Sequence, residues 1–216
     1  MEFYKHACTG DSIEWESDGF TVTARIEFDD FQNPPWENED GHGPVTGWES
    51  RDKMPGEMVL NTDRGAKRFY DFAAACKIAR RDGWVFLPAP LQTSQDIGGT
   101  WTAKSADFEA QSMDINVAIR AVYDKSRATM TPREYAAGAA LRDYRVLRAW
   151  CDDEWFYCGI VVTVSRNGID LATESLWGIE CNYPDSGNAH LGETARELAD
   201  EAIDIARENI KELCNG

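Results

Sequence analysis

Polar and apolar residues alternate most clearly over residues 20–28, where Phe20, Val22, Ala24, Ile26 and Phe28 are separated by polar positions. A period of two with one apolar side predicts a half-buried β-strand. Ser12 to Glu16, carrying Ile13 and Trp15, is expected to pair with it across Asp18-Gly19, a two-residue hairpin signal. From residue 29 to 56 the alternation stops. Prolines and glycines there are mixed with the aromatic anchors Phe31, Trp36 and Trp48. This predicts a long structured loop, and long ordered loops inside a domain are candidate functional surfaces.

Glu57 to Asn61 reads as a short strand. Asp71 can cap a helix that runs to about Arg81 and stops before Asp82-Gly83, where glycine can take the left-handed conformation. Residues 87–104 are rich in Pro, Gly, Gln and Ser and read as a mobile loop. A second helix is expected around Phe108, Ile115, Ile119 and Val122, which share one face. A third opens at Thr131-Pro132-Arg133-Glu134, a capping box with proline at the first helical position, and carries the stripe Ala136, Ala140, Tyr144, Leu147 and Cys151. The apolar run Trp155 to Ser165 has the composition of a central strand, and Asn167-Gly168 turns it into another over Ile169 to Ile179. The last helix is expected from about Glu193 to Cys214. Strands, helices, a hairpin and a final helix in that order predict an α+β fold with a mainly antiparallel sheet, about four helices and an amphipathic acidic C-terminal helix, in one domain over residues 1–216.

At 216 residues, 43% hydrophobic and 11% aromatic, the chain can bury a substantial core. The first residues lack a basic region followed by an apolar stretch, and no apolar run is long enough for a membrane span. The six cysteines contain no C-x-x-C pair and read as reduced thiols, so a cytoplasmic, membrane-free protein is expected.

Charge changes this picture most. The net charge is −16, distributed unevenly. Residues 1–50 hold 12 acids and 2 bases, residues 51–150 hold 12 acids and 16 bases, and residues 151–216 hold 14 acids and 4 bases. Two acidic ends bracket a mildly basic middle, which includes Lys67, Arg68, Lys77, Arg80, Arg81, Arg142, Arg145 and Arg148. Acidic ends serve solubility or pair with the basic middle; alternatively they form one face that meets a basic partner. Direct contact with nucleic acid is disfavoured, because phosphates are repelled everywhere except at the middle segment. At 100° per residue, Glu193, Glu197, Asp200, Glu201, Asp204, Glu208 and Glu212 fall within one arc of the last helix. Leu191, Leu198, Ala202, Ile205, Ala206, Ile210 and Leu213 are expected on the other side.

Several stretches together resemble a group of small proteins encoded by tailed bacteriophages and prophages. They are Pro35-Trp36-Glu37 running into Asp40-Gly41-His42-Gly43-Pro44-Val45, then Trp48, Pro55-Gly56-Glu57, Asp63-Arg64, Tyr70-Asp71, Asp82-Gly83-Trp84 and Ser175-Leu176-Trp177-Gly178-Ile179-Glu180. The resemblance covers residues 20–90 and 150–210, with Asp-Gly-His-Gly its most specific piece. It implies a viral or prophage setting and supplies no reaction. Some such proteins carry a transporter-ATPase label, which this chain does not support: it has no Gly-x-x-x-x-Gly-Lys-Ser/Thr to cradle nucleotide phosphates.

Catalytic patterns are sparse. Glu37, Glu39, Asp40 and His42 could offer oxygens and one imidazole to a divalent cation, or simply form a tight turn. His6 and His190 are distant in sequence, and Ser94 and Ser186 lack nucleophile-elbow glycines. The expectation is therefore a non-enzymatic, cofactor-free phage accessory protein that inhibits a host defence complex of the CRISPR or restriction type. Its acidic surface would compete for a site that binds nucleic acid. The residues expected to meet the partner are Trp36, Glu37, Glu39, Asp40 and Trp48 in the loop and Glu197, Asp200, Glu201, Asp204, Glu208 and Glu212 on the last helix. The alternatives are a metal-dependent enzyme using Asp40 and His42, and a virion or replication scaffold.

Overall fold

The computed structural model describes residues 3, 5–37, 41–84 and 130–215. The helix expected around Phe108–Val122 and the loop expected at 87–104 lie outside the described residues. The described chain is α+β, with six strands, all paired antiparallel, and three α-helices among the described residues. It forms two compact units: residues 1–33 together with 152–216, and residues 34–151.

The first unit is one long helix and a four-stranded sheet, whose strands lie side by side in the order Ser12–Ser17, Phe20–Phe28, Phe156–Arg166 and Ile169–Cys181. β1 (Ser12–Ser17) and β2 (Phe20–Phe28) are joined by Asp18 and Gly19, whose φ values of 53° and 78° make the expected left-handed two-residue turn. β5 (Phe156–Arg166) and β6 (Ile169–Cys181) are joined in the same way by Asn167 and Gly168, at φ 53° and 77°. The chain leaves this unit after β2 and re-enters before β5, so the two hairpins are far apart in sequence. They close into one sheet by the register Thr21↔Ser165 through Phe28↔Cys158. Phe20 is buried, Val22, Ala24 and Ile26 are buried opposite Val164, Val162 and Ile160, and Phe28, the last alternating residue, is 54% exposed although its partner Cys158 is buried.

The C-terminal helix, α3 (Ala189–Asn215), covers this apolar face. Its buried apolar side chains are those of Leu191, Ala195, Leu198, Ala199, Ala202, Ile203 and Ala206. The alanines allow close approach to the sheet and centre the buried arc on Ala195, Ala202 and Ala206. Ile205, expected on this side, lies just beyond the edge of that arc and is 38% exposed.

The second unit is built on a hairpin and two helices. β3 (Glu57–Asp63) pairs with β4 (Ala66–Asp71) across Arg64-Gly65, at φ 45° and 88°. The strand β4 was not anticipated. α1 (Phe72–Asp82) begins as expected at Asp71, whose Oδ1 accepts from the Ala74 amide at 2.8 Å, and ends at left-handed Gly83. α2 (Pro132–Cys151) opens with the expected capping box: Glu134 accepts from the amide and hydroxyl of Thr131, and the Glu134 amide donates to Thr131 Oγ1. Leu60, Tyr70, Ala75, Ala140 and Leu147 form the core, and Ala79, Ala136 and Ala139 pack α1 on α2. Residues 44–49 run along the other side of β4 through Asp71 N–H to Pro44 O, Thr46 N–H to Phe69 O and reciprocal bonds between Glu49 and Lys67. This part of the loop is held by backbone pairing as a strand would be.

Candidate functional site

Most of the acidic residues of the two ends of the sequence belong to one unit, with Glu37, Glu39, Asp40 and Glu49 in the other. Residues 1–33 and 152–216 carry 22 Asp and Glu against 6 Lys and Arg, a net −16, whereas residues 34–151 carry 16 of each. The whole net charge of the chain therefore resides on the β1-β2-β5-β6 unit. On α3, Glu193, Glu197, Asp200, Glu201, Asp204, Glu208 and Glu212 are all exposed. Fixed i, i+3 and i, i+4 geometry places them on the side opposite the buried alanines. Arg207 is engaged by Asp204 at 2.7 Å and by Asp18, so this cation neutralises acids of its own unit.

The other anticipated contact residues, Trp36, Glu37 and Trp48, belong to the second unit, so the expected set divides between the two. Glu37 is exposed at the end of a short 3-10 turn (Pro35–Glu37), while Glu39 and Asp40 lie outside the described residues. Trp36 and Trp48 are brought together by a residue of the basic middle. The Arg68 guanidinium carbon is 4.7 Å from the Trp36 ring centre and 4.8 Å from that of Trp48. Trp36 in turn meets Trp150 edge-on at 5.2 Å. Arg68 Nε is buried with no hydrogen-bond partner among the described residues, so the two indole faces are its electrostatic environment. Neighbouring cations are also engaged inside this unit. Arg51 makes a bidentate pair with Glu57 at 2.7 and 2.8 Å, Lys67 reaches Asp52, and Arg148 donates to Leu60 O.

Arg51 and the Met54 amide together hold the Glu57 carboxyl down at about 2, well below the usual carboxylate range. The same contact, with Glu49 contributing, raises the Arg51 guanidinium further above its ordinary value. Phe69 lies under that guanidinium at 4.3 Å.

His42 has one strong partner, which the sequence did not reveal. Its Nδ1 is 2.5 Å from Asp143 Oδ1 on α2. The same carboxylate accepts from the Gly43 amide (2.8 Å) and the Tyr70 hydroxyl (2.6 Å) at Oδ2. Burial, and then the Asp143 charge, raise the Tyr70 phenol above its ordinary value, so it stays protonated and donating. A carboxylate on Nδ1 fixes the imidazole's orientation, as it does for ligands and general bases. Among the described residues, however, no three His, Cys, Asp or Glu side chains converge to hold a metal ion. What the geometry does accomplish is to fasten residues 42–43 to α2 and β4 through one buried carboxylate with three donors. Gly43 fits only because it lacks a side chain: a methyl group there would come within 2.6 Å of Tyr70 Oη and Ala75 Cβ.

Among the described residues no helix is long and apolar enough to cross a membrane. No protein-family model, curated protein or solved structure matches the chain.

Proposed function

We propose that the chain is a non-enzymatic accessory protein that binds a basic partner and competes there with nucleic acid. The resemblance to phage and prophage proteins suggests as the partner a host defence complex of the CRISPR or restriction type. The observation that carries this reading is the segregation of charge: one unit holds the entire −16 and presents seven exposed carboxylates on a single helix. With 1.5 Å of rise per residue, Glu193 to Glu212 span about 28 Å, or roughly one carboxylate per 4 Å. One DNA strand presents a phosphate every ~3.4 Å of helix axis. A rigid acidic helix of this charge density can occupy a basic groove and steer its own approach to it.

The test is retention of host proteins on the immobilised chain, with the variant Glu197→Lys/Glu201→Lys/Glu208→Lys as control. Support requires that nucleic-acid-binding proteins be retained by the wild-type chain, released by duplex DNA, and lost from the variant. Retention of none, or equal retention by the variant, removes the reading.

The second reading, a metal-dependent enzyme, has one observation in its favour: the Asp143-oriented imidazole of His42, a residue two positions after Asp40 in the sequence. Titration calorimetry with Mg²⁺, Mn²⁺ and Zn²⁺ separates the two. Binding heat that disappears in His42→Ala supports the metal reading, and no heat with any of the three ions removes it.

A further inference from the structure

Among the described residues the acidic unit leaves the β1 edge of its sheet open. β1 is an outermost strand, and Asp11, just before it, accepts from the Ile26 amide of β2 at 2.9 Å. Hydrogen-bonded pairs recur at every second residue of an antiparallel ladder. Ile13, Trp15 and Ser17 therefore turn their backbone groups toward β2, whereas those of Ser12, Glu14 and Glu16 face away from the sheet. Among the described residues nothing pairs with them. Such a row of donors and acceptors is a template for one more strand.

The two faces of this edge differ. Ile13 and Trp15 lie opposite Ala24 and Val22, which are fully buried, so they belong to the side covered by α3. Both are only half-buried, and with Gly192, Ala195 and Arg196 of α3 they line a cleft of about 190 Å³. The core closes the β2 side of the cleft, so it opens along the free edge. Its size suits one or two apolar side chains; small-molecule pockets begin at about 300 Å³. The opposite face carries Glu14 and Glu16, both exposed. Glu16 accepts from the Thr21 hydroxyl at 2.8 Å, and Arg25, across from Ser12, is paired with Glu27.

We infer that the β1 edge and this cleft bind an extended segment of a partner protein, added antiparallel to β1. Apolar residues at alternate positions enter the cleft, and lysine or arginine at the positions between them faces Glu14 and Glu16. Main-chain bonds to Ser12, Glu14 and Glu16 hold the segment, and the cleft sets its register. Charge decides the occupant. The unit carries −16 and attracts a basic segment, while Arg196 favours apolar over cationic residues in the cleft. A second copy of β1 is disfavoured, because antiparallel pairing sets glutamate against glutamate. The site uses none of the α3 carboxylates and goes beyond the proposed function: it does not depend on competition with nucleic acid.

Two labelled peptides of alternating lysine and valine test this by fluorescence anisotropy. One is N-methylated at the lysines, whose amides would bond to β1, and the other at the valines, whose amides would face away. Charge, side chains and methyl count are the same in both. The valine-methylated peptide is expected to bind the wild-type chain about tenfold more tightly, the ratio given by one or two lost hydrogen bonds. It is also expected to slow amide hydrogen exchange at Glu14 and Glu16 by about tenfold. A valine-methylated analogue with one central valine replaced by serine is expected to bind about tenfold more weakly, because that residue no longer fills the cleft. Glu14→Pro removes an outward amide without touching the β2 pairing and is expected to abolish the difference between the first two peptides. Glu14→Gln, which removes charge alone, is expected to weaken both and keep it. Equal binding of those two peptides to the wild-type chain, or unslowed exchange at Glu14 and Glu16, overturns the inference whatever the variants do. Equal binding of the serine analogue overturns the role of the cleft. A wild-type dimer in sedimentation velocity that Glu14→Pro dissociates assigns the edge to a second copy and also overturns the inference.

Discussion

His42 and Asp143 are 101 residues apart in the chain and 2.5 Å apart in the fold. The same aspartate takes the Gly43 amide and the Tyr70 hydroxyl, so three donors meet at one carboxylate. Asp143→Ala leaves the His42 imidazole and the Gly43 amide without that acceptor, while the Tyr70 hydroxyl keeps the Ala140 carbonyl at 3.0 Å, and should destabilise the second unit by about 3 kcal/mol. Urea unfolding of the two variants measures it, and Asp143→Asn, which keeps an acceptor oxygen, should lose less. A loss below about 1 kcal/mol for the alanine variant would show that the clamp is not structural.

Gly43 and Gly47 belong to the same segment and differ in surroundings. Alanine at 43 would overlap Tyr70 and Ala75, whereas at 47 it would meet nothing within 4 Å. Gly43→Ala should therefore cost about 1–3 kcal/mol by overpacking, and Gly47→Ala should lie within about 0.5 kcal/mol of the parent. Thermal unfolding of the pair gives the comparison directly; equal effects would contradict the packing described at Gly43.

Glu57 supplies the acid dependence. Its folded value of about 2 lies below its unfolded one, so the stabilisation is complete above the ordinary carboxylate range and is lost as pH falls through 4 toward 2. Glu57→Gln should flatten that part of the stability–pH curve of the second unit. Denaturant midpoints measured from pH 6 to pH 2.5 check it. An unchanged slope in the variant would mean that the Arg51–Glu57 pair does not contribute.

The last helix carries a stability penalty in its own charge pattern. Glu193, Glu197 and Glu201 form a like-charge i, i+4 series, and so do Asp204, Glu208 and Glu212. Each such pair is unfavourable by about 0.2–0.5 kcal/mol. Glu197→Lys should relieve two of them and raise the melting temperature at low salt, even as it weakens the proposed contact. A lower melting temperature would show that the carboxylates are structurally engaged.

Local chemistry made the turns and caps readable. Asp18-Gly19 and Asn167-Gly168 carry the residues that left-handed turns require, and Asp71, Gly83 and the Thr131/Glu134 pair mark helix ends through bonds made within a few residues. β4 was hidden because Lys67, Arg68 and Asp71 interrupt its apolar pattern; its pairing is supplied by residues 44–49 as well as β3. The charge of each segment was countable, but its grouping depended on β2 pairing with β5 across more than a hundred residues. For the same reason neither Asp143 as the partner of His42 nor Arg68 between Trp36 and Trp48 left a local signature. The bond from the Gly178 amide to the Asp29 carboxylate, 149 residues apart, is another product of the tertiary fold alone.

The proposed function is competition by the acidic unit for a nucleic-acid site. Its most direct measurement is the anisotropy of a labelled DNA duplex bound to a host protein recovered on the immobilised chain, titrated with free chain at several salt concentrations. The expected result is full displacement of the duplex at low salt, weakening as salt rises, and none with Glu197→Lys/Glu201→Lys/Glu208→Lys. A duplex that stays bound while the chain binds beside it would exclude such competition, as would equal displacement by the reversed-charge variant.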